Sequence, residues 1–175
     1  MTAHLSKLGR LGVIVSGVCG FNWVYDNVGY VAKVEGSSMY PALNPHERPS
    51  DMVVLRRING DYAGIQRGDI ITVMPPYSTN DVFIKRLVGL PGDVVESLHF
   101  HTPFVRIPQG HCWVEGDNHS KSVDSNEFGP VPLGLVQSKA VAILWPTERR
   151  QLLKHGMSEE TARRVHKWVG TEEGG

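Results

Sequence analysis

Only two cysteines, Cys19 and Cys112, occur in the 175 residues. One lies in an apolar N-terminal stretch and the other in strand-like sequence, so they make no disulfide framework and are expected to be free, buried thiols. Net charge is also lacking: 18 Lys and Arg balance 18 Asp and Glu. No global field therefore favours nucleic acid or a strongly charged substrate. Internal repeats and low-complexity tracts are absent, which excludes solenoids and disordered arrays. No G-x-S-x-G elbow announces a Ser-His-Asp hydrolase. His99 and His101 share one face of a strand-like segment without a third ligand at metal spacing, so no metal or other cofactor is implied.

A long uncharged run is missing as well. The best stretch, Leu11 to Tyr25, is fifteen residues between Arg10 and Asp26. At helical rise it covers about 22 Å, short of the roughly 20 residues that span a bilayer. Extension from Gly9 to Val31 makes it long enough, with Lys7 and Arg10 on the positive side and Trp23, Tyr25 and Tyr30 as an aromatic belt. A cleavable leader would need a small-x-small site after the run, and YDNVGYVAKVEG offers none. The alternative is a helix packed on the domain or on a partner, since Gly12, Gly17 and Gly20 weaken a lone helix. Residues 1–29 are expected to be an N-terminal membrane anchor.

What the sequence does have is a series of short β-branched runs from Tyr30 onward, separated by Gly, Pro, Asn and Asp. Strands are expected near Val31–Glu35, Met52–Arg57, Ile70–Met74, Val82–Val88, Val94–Leu98, Phe104–Ile107, Cys112–Glu115 and Val136–Leu144. Residues 30–146 thus read as a mainly β domain of barrel or folded-sheet type, and 41% hydrophobic content suffices for its core. Beyond Pro146, Thr147 and Ser158 are helix-start signals followed by charged residues, so residues 147–175 are expected to form a tail of short surface helices. Arg149, Arg150, Arg163, Arg164 and Lys167 would make its basic face, either solvated or turned to a membrane or partner.

Two stretches carry chemistry. In Glu35-Gly36-Ser37-Ser38-Met39-Tyr40-Pro41, small residues bring a serine to an exposed turn, where free backbone N–H groups can hold an oxyanion. In Val82-Phe83-Ile84-Lys85-Arg86-Leu87-Val88, a cation sits inside an apolar strand. A buried lysine loses its proton more easily, and a neutral amine can take one from a serine hydroxyl. Lys85 and Arg86 point to opposite faces, so only one of them is expected to face the core or a cleft.

These residues, with Arg67-Gly68-Asp69-Ile70, Lys85 through Asp93, and Gly116-Asp117-Asn118 through Ser122-Val123-Asp124-Ser125, resemble in order the boxes of the type I signal peptidases. The runs VEGSSMYPALNP, GHCWVEGDNHS and SVDSNEFGPVPLGL more closely resemble the mitochondrial inner membrane protease branch of that family, its subunit 2 type. The resemblance implies a signal-peptidase-like β catalytic domain that removes cleavable sorting signals from preproteins. It implies Ser38 as nucleophile, Lys85 as general base, Ser122 orienting the lysine, and the Ser38 N–H as one oxyanion donor. Met39 and Gly36 support the nucleophile; some relatives carry a serine where Gly36 stands. Asp124 is implied to fix the site loop through a basic partner, with Arg86 as the candidate. Asn126 stands where some relatives carry an arginine. The resemblance also implies a heterodimer with a subunit 1 protease, at the mitochondrial inner membrane, with the catalytic domain in the intermembrane space. Alternatives are a catalytically silent scaffold subunit, a bacterial-type signal peptidase, a self-cleaving repressor-type regulator, and a Ser38/His119/Asp triad. Asp69 reads as a turn cap, and Asn118-His119-Ser120 matches a glycosylation sequon inside the same stretch.

Overall fold

The computed structural model describes residues 29–45, 49–60 and 62–167. Cys19 and the expected membrane anchor up to residue 28 lie outside the described residues, but Tyr30 and Val31, which the extended span would have taken in, belong instead to a strand of the domain, paired with Leu55 and Val54. Strands β1 (Tyr30–Lys33), β2 (Met52–Arg57), β3 (Ile70–Val73), β4 (Phe83–Gly89), β5 (Asp93–Glu96), β6 (Phe104–Arg106), β7 (His111–Glu115), β8 (Val131–Pro132), β9 (Val136–Trp145), β10 (Gln151–Leu152) and β11 (Val165–Lys167) form two antiparallel sheets. The larger runs β1-β2-β9-β3-β4-β7-β8, with β10 added to β9; the smaller is β11-β5-β6. The mainly β expectation holds, and all eight expected strands are present within a residue or two of their bounds. The two-residue strands β8 and β10 are too short to leave a period in the sequence.

Residues after Pro146 depart from the expected helical tail. Thr147–Arg149 is a single 3-10 turn, and helix α2 (Glu159–Arg163) starts where expected, with the Ser158 hydroxyl accepting from the Thr161 N–H. The same segment also supplies β10, paired with β9, and β11, paired with β5. It is woven into both sheets because these edges offer unpaired backbone groups that it satisfies.

The central strands β3 and β4 are closed in on both faces. Ile70–Val73 is buried throughout, and so is β4 from Lys85 to Gly89. Both Lys85 and Arg86 are therefore buried, at 3% and 9% exposure, where only one was expected to be. The Arg86 face is covered by the chain around Gly156, whose carbonyl accepts from Arg86 Nη1 at 2.6 Å. A sequence period cannot register such a cover from 70 residues away.

Three apolar clusters fill the layers. The one that matters for the site contains Val34, Met39, Leu43, Val53, Leu55, Ile70, Ala140 and Ile143. Met39 and Leu43, at 2% and 0% exposure, follow Ser38 within its turn segment. At about 1.5–3 kcal/mol per fully buried side chain, the pair pins that turn to the β2/β9 face. Cys112 is fully buried in a second cluster, where burial pushes its thiol up to about 12, so it is an inert thiol.

Candidate active site

Strand β7 pairs with β4 only from Arg86 onward, where Arg86 lies opposite Glu115. Phe83, Ile84 and Lys85 therefore pair with β3 on one side and have no β7 partner on the other. Beside that free edge opens a cleft of about 450 Å³, lined among others by Tyr30, Lys33, Ser38, Thr72, Phe83 and Lys85. The structure thus brings the predicted nucleophile and the predicted base to one cleft. Ser38 is half-buried on its turn, and Lys85 is buried.

Lys85 has defined company. Its Nζ donates to Ser122 Oγ at 2.9 Å and lies 5.4 Å from the centre of the Phe83 ring. Ser122 Oγ donates in turn to Asp124 Oδ2 at 2.6 Å. The Ser122 proton is thus committed to the carboxylate, and Ser122 can only accept from the lysine. A neutral Lys85 spends a hydrogen on this contact and keeps its lone pair for another proton. Burial holds the Lys85 amine below the ordinary lysine value; the Asp124 and Glu127 carboxylates oppose that shift.

Asp124 is buried without a cationic partner among its hydrogen bonds. Its oxygens accept from Ser122 Oγ, from the Gly116 N–H at 2.8 Å, and from Asn126 through both its N–H and its Nδ2 at 3.0 Å. It caps the short helix α1 (Ser125–Phe128). The expected pairing of Asp124 with Arg86 is not made. Arg86 instead grips Asp117 with a two-pronged contact, Nε to Oδ1 and Nη2 to Oδ2, both at 2.6 Å. The reason is the strand alternation itself: Arg86 points away from the Lys85 face, towards Asp117 and the carbonyls of Gly68 and Gly156. Asn126 takes the place that a cation would fill at Asp124, and its own Oδ1 accepts from the Leu98 N–H at 2.8 Å.

The Arg86–Asp117 pair steadies the loop that touches the Ser38 turn. Next to Asp117, the Asn118 N–H donates to the Ser38 carbonyl at 2.9 Å and its Nδ2 donates to the Ser37 carbonyl at 3.1 Å. The Tyr40 N–H also reaches the Ser37 carbonyl, at 3.1 Å. In a trans peptide the N–H points opposite to the preceding carbonyl, so holding the Ser37 carbonyl sets the direction of the Ser38 N–H. This fit requires Gly116. A Cβ there would lie 2.3 Å from Ser122 Oγ and 2.5 Å from the Ser38 carbonyl oxygen. Sequence reasoning quoted Asn118 and Gly116 as parts of a box but gave neither a role, because both act through main-chain contacts that appear only on folding. Gly36 takes φ +80°, a left-handed conformation suited to glycine, with open space where a side chain would stand.

The remaining candidates resolve plainly. Asp69 Oδ2 accepts from the Gln66 N–H at 2.7 Å as a turn cap and also pairs with Lys139 at 2.7 Å. His119 turns Nδ1 towards Glu115 Oε2 at 3.9 Å, in a cluster where Glu115 is already held by Arg164 and by the Trp113 indole N–H.

The family model for signal peptidase, peptidase S26, matches residues 7–99 and 96–145. The chain is 46% identical over 132 residues to mitochondrial inner membrane protease subunit 2 of Danio rerio, covering 75% of this chain and 72% of that protein. It is 41% identical over 130 residues to subunit 2 of Saccharomyces cerevisiae, covering 72% and 73%. Subunit 1 of Mus musculus is 34% identical over 146 residues, covering 81% and 86%.

Proposed function

The chain belongs to the signal peptidase family, peptidase S26, and from that premise we propose that Ser38 and Lys85 are its catalytic dyad and that it removes sorting peptides from preproteins delivered to the mitochondrial intermembrane space. Its relatives named as inner membrane protease subunit 2 support the mitochondrial inner membrane as its place, and the subunit 1 relatives support a heterodimeric complex. The N-terminal residues 1–29 would anchor it, with the β domain on the intermembrane-space side.

The observation that carries the reading is the Lys85–Ser122–Asp124 chain, whose lysine lines the same cleft as Ser38. The substrate lies extended along the free edge of β4 at Phe83–Lys85 and presents alternate side chains to shallow pockets, so a small residue precedes the cut. Neutral Lys85 takes the Ser38 hydroxyl proton as Ser38 Oγ attacks the scissile carbonyl. The Ser38 N–H, aimed by the Asn118 contact with the Ser37 carbonyl, stabilises the developing oxyanion. Lys85 then passes the proton to the leaving amine, and water, deprotonated by the again neutral Lys85, releases the acyl group from Ser38. Throughout, Ser122 holds the lysine and Asp124 holds Ser122.

The test is processing of intermembrane-space precursors in mitochondria depleted of this chain and supplied with wild type or Ser38→Ala. Precursors are expected to stay uncut with Ser38→Ala at normal protein abundance. Full processing with Ser38→Ala would make the chain a scaffold for another subunit's active site.

A further inference from the structure

The turn that carries Ser38 is tied at both ends to one buried residue, Asp51. Asn44 stands at φ +50° just past the turn. Its Nδ2 donates to the carbonyls of Val34 at 2.9 Å and Gly36 at 3.1 Å, so it bridges the turn's entrance. Asn44 and Asp51 exchange a reciprocal pair of bonds: the Asn44 N–H to Asp51 Oδ2 at 2.8 Å, and the Asp51 N–H to Asn44 Oδ1 at 2.7 Å. Asp51 is fully buried. The Val34 N–H reaches its carbonyl at 2.8 Å.

What balances Asp51 comes from the far end of the chain. Arg149 sets Nε on Oδ1 and Nη2 on Oδ2, each at 3.0 Å, and the same Nη2 donates to the Ala42 carbonyl at 3.0 Å. One guanidinium thus spans the carboxylate and the backbone of the serine turn. It lies beyond residue 145, where the family match ends, and in the segment expected to be a solvated basic face. The planar fork suits this double contact in a way that a lysine would not.

We infer that Asn44, braced by Asp51 and Arg149, is a positioning group for Ser38. The inference rests on the reading of Ser38 as nucleophile. Asn44 fixes the Gly36 carbonyl and so the 36–37 peptide, as Asn118 fixes the 37–38 peptide. Ser38 enters the cleft from a turn whose last two peptide planes are each held by an asparagine amide.

The experiment uses the full-length chain in its membrane and a precursor that wild type cleaves, with folded enzyme quantified by its heat-unfolding amplitude. Asn44→Gly removes the amide while a glycine accepts the positive φ and keeps the N–H contact to Asp51. Arg149→Met combined with Asp51→Asn removes the brace without stranding a buried charge. Both are expected to lower kcat per folded molecule about 10- to 100-fold, the cost of misplacing a reacting group. KM should stay within about threefold and the pH midpoint of kcat should not move, because Lys85 sits on another element. Arg150→Met, next in sequence and exposed, is expected to match wild type. A kcat per folded molecule within about twofold of wild type for Asn44→Gly overturns the inference; that variant alone decides if the double variant does not accumulate. Cleavage by Ser38→Ala in the same assay would instead overturn the nucleophile assignment, so the two failures are distinguishable.

Discussion

Ser122 accepts from Lys85 at 2.9 Å because its own proton is committed to Asp124 at 2.6 Å. The direction of this chain leaves a neutral lysine with its lone pair unspent, which is what a general base needs.

Ser122→Ala removes the contact without changing charge. Lys85 becomes charged as it takes the Ser38 proton, and a hydrogen bond to a charged group is worth about 1.5–3 kcal/mol, so kcat should fall by about 10- to 100-fold. KM should hold nearly constant, since Ser122 acts on the lysine. Steady-state kinetics on a cleavable precursor checks this, and an equal change in kcat and KM would speak against an orienting role.

The Lys85 amine is depressed by burial, with Asp124 and then Glu127 opposing. A base must be unprotonated, so activity rises with pH through the Lys85 pKa, and the acid limb has its midpoint below the ordinary lysine value of 10.5. Asp124→Asn removes the larger opposing charge, so the midpoint should move to lower pH even as kcat falls. A midpoint that moves to higher pH would contradict the assignment.

The same depression makes Lys85 a stability cost. Between its folded pKa and 10.5 the unfolded chain binds more protons than the folded one, so stability contributed at this site rises with pH in that window. Lys85→Met abolishes the slope. Relative to wild type, the variant's Tm should be highest at low pH and should lose ground as pH climbs towards 10.5. Thermal unfolding across pH checks this, and a constant difference would mean that Lys85 keeps its proton at the ordinary value.

Gly116→Ala should damage the site out of proportion to its size. The new Cβ would meet Ser122 Oγ at 2.3 Å and the Ser38 carbonyl at 2.5 Å, and the second is backbone that cannot swing aside. A loss of about 100-fold in kcat is expected, against near wild-type activity for Gly134→Ala, where a Cβ meets nothing.

Asp117→Asn should act through stability. Arg86 is 9% exposed and would lose its only carboxylate among the described residues. Breaking such a pair on one side costs about 3–5 kcal/mol, or a Tm drop on the order of 6–20 °C for a chain of this size. An unchanged Tm would show that the pair is dispensable.

Much of this architecture was legible in advance. The strands announced themselves by β-branched runs between turn residues, and Ser38, Lys85 and Ser122 by their boxes. The structure places Lys85 and Ser122 in contact. What stayed hidden depended on residues far apart in sequence. Arg86 chose Asp117 over Asp124 because a strand sends neighbouring side chains to opposite faces, and the cover that buries it comes from Gly156. Arg149 and Arg164 read as a solvated basic face but end on the buried carboxylates of Asp51 and Glu115. Charge alone does not say which arginine of a helical stretch turns inward; the partner carboxylates, 98 and 49 residues away, decide it.

The most direct test of the dyad is to stop turnover with acid, digest the full chain, and weigh the peptide that carries Ser38. The account predicts an ester on Ser38 whose added mass equals the acyl part of the cut precursor, absent from Ser38→Ala and from Lys85→Met, neither of which cleaves. Cleavage that continues in Ser38→Ala with no ester on Ser38 in wild type would contradict it.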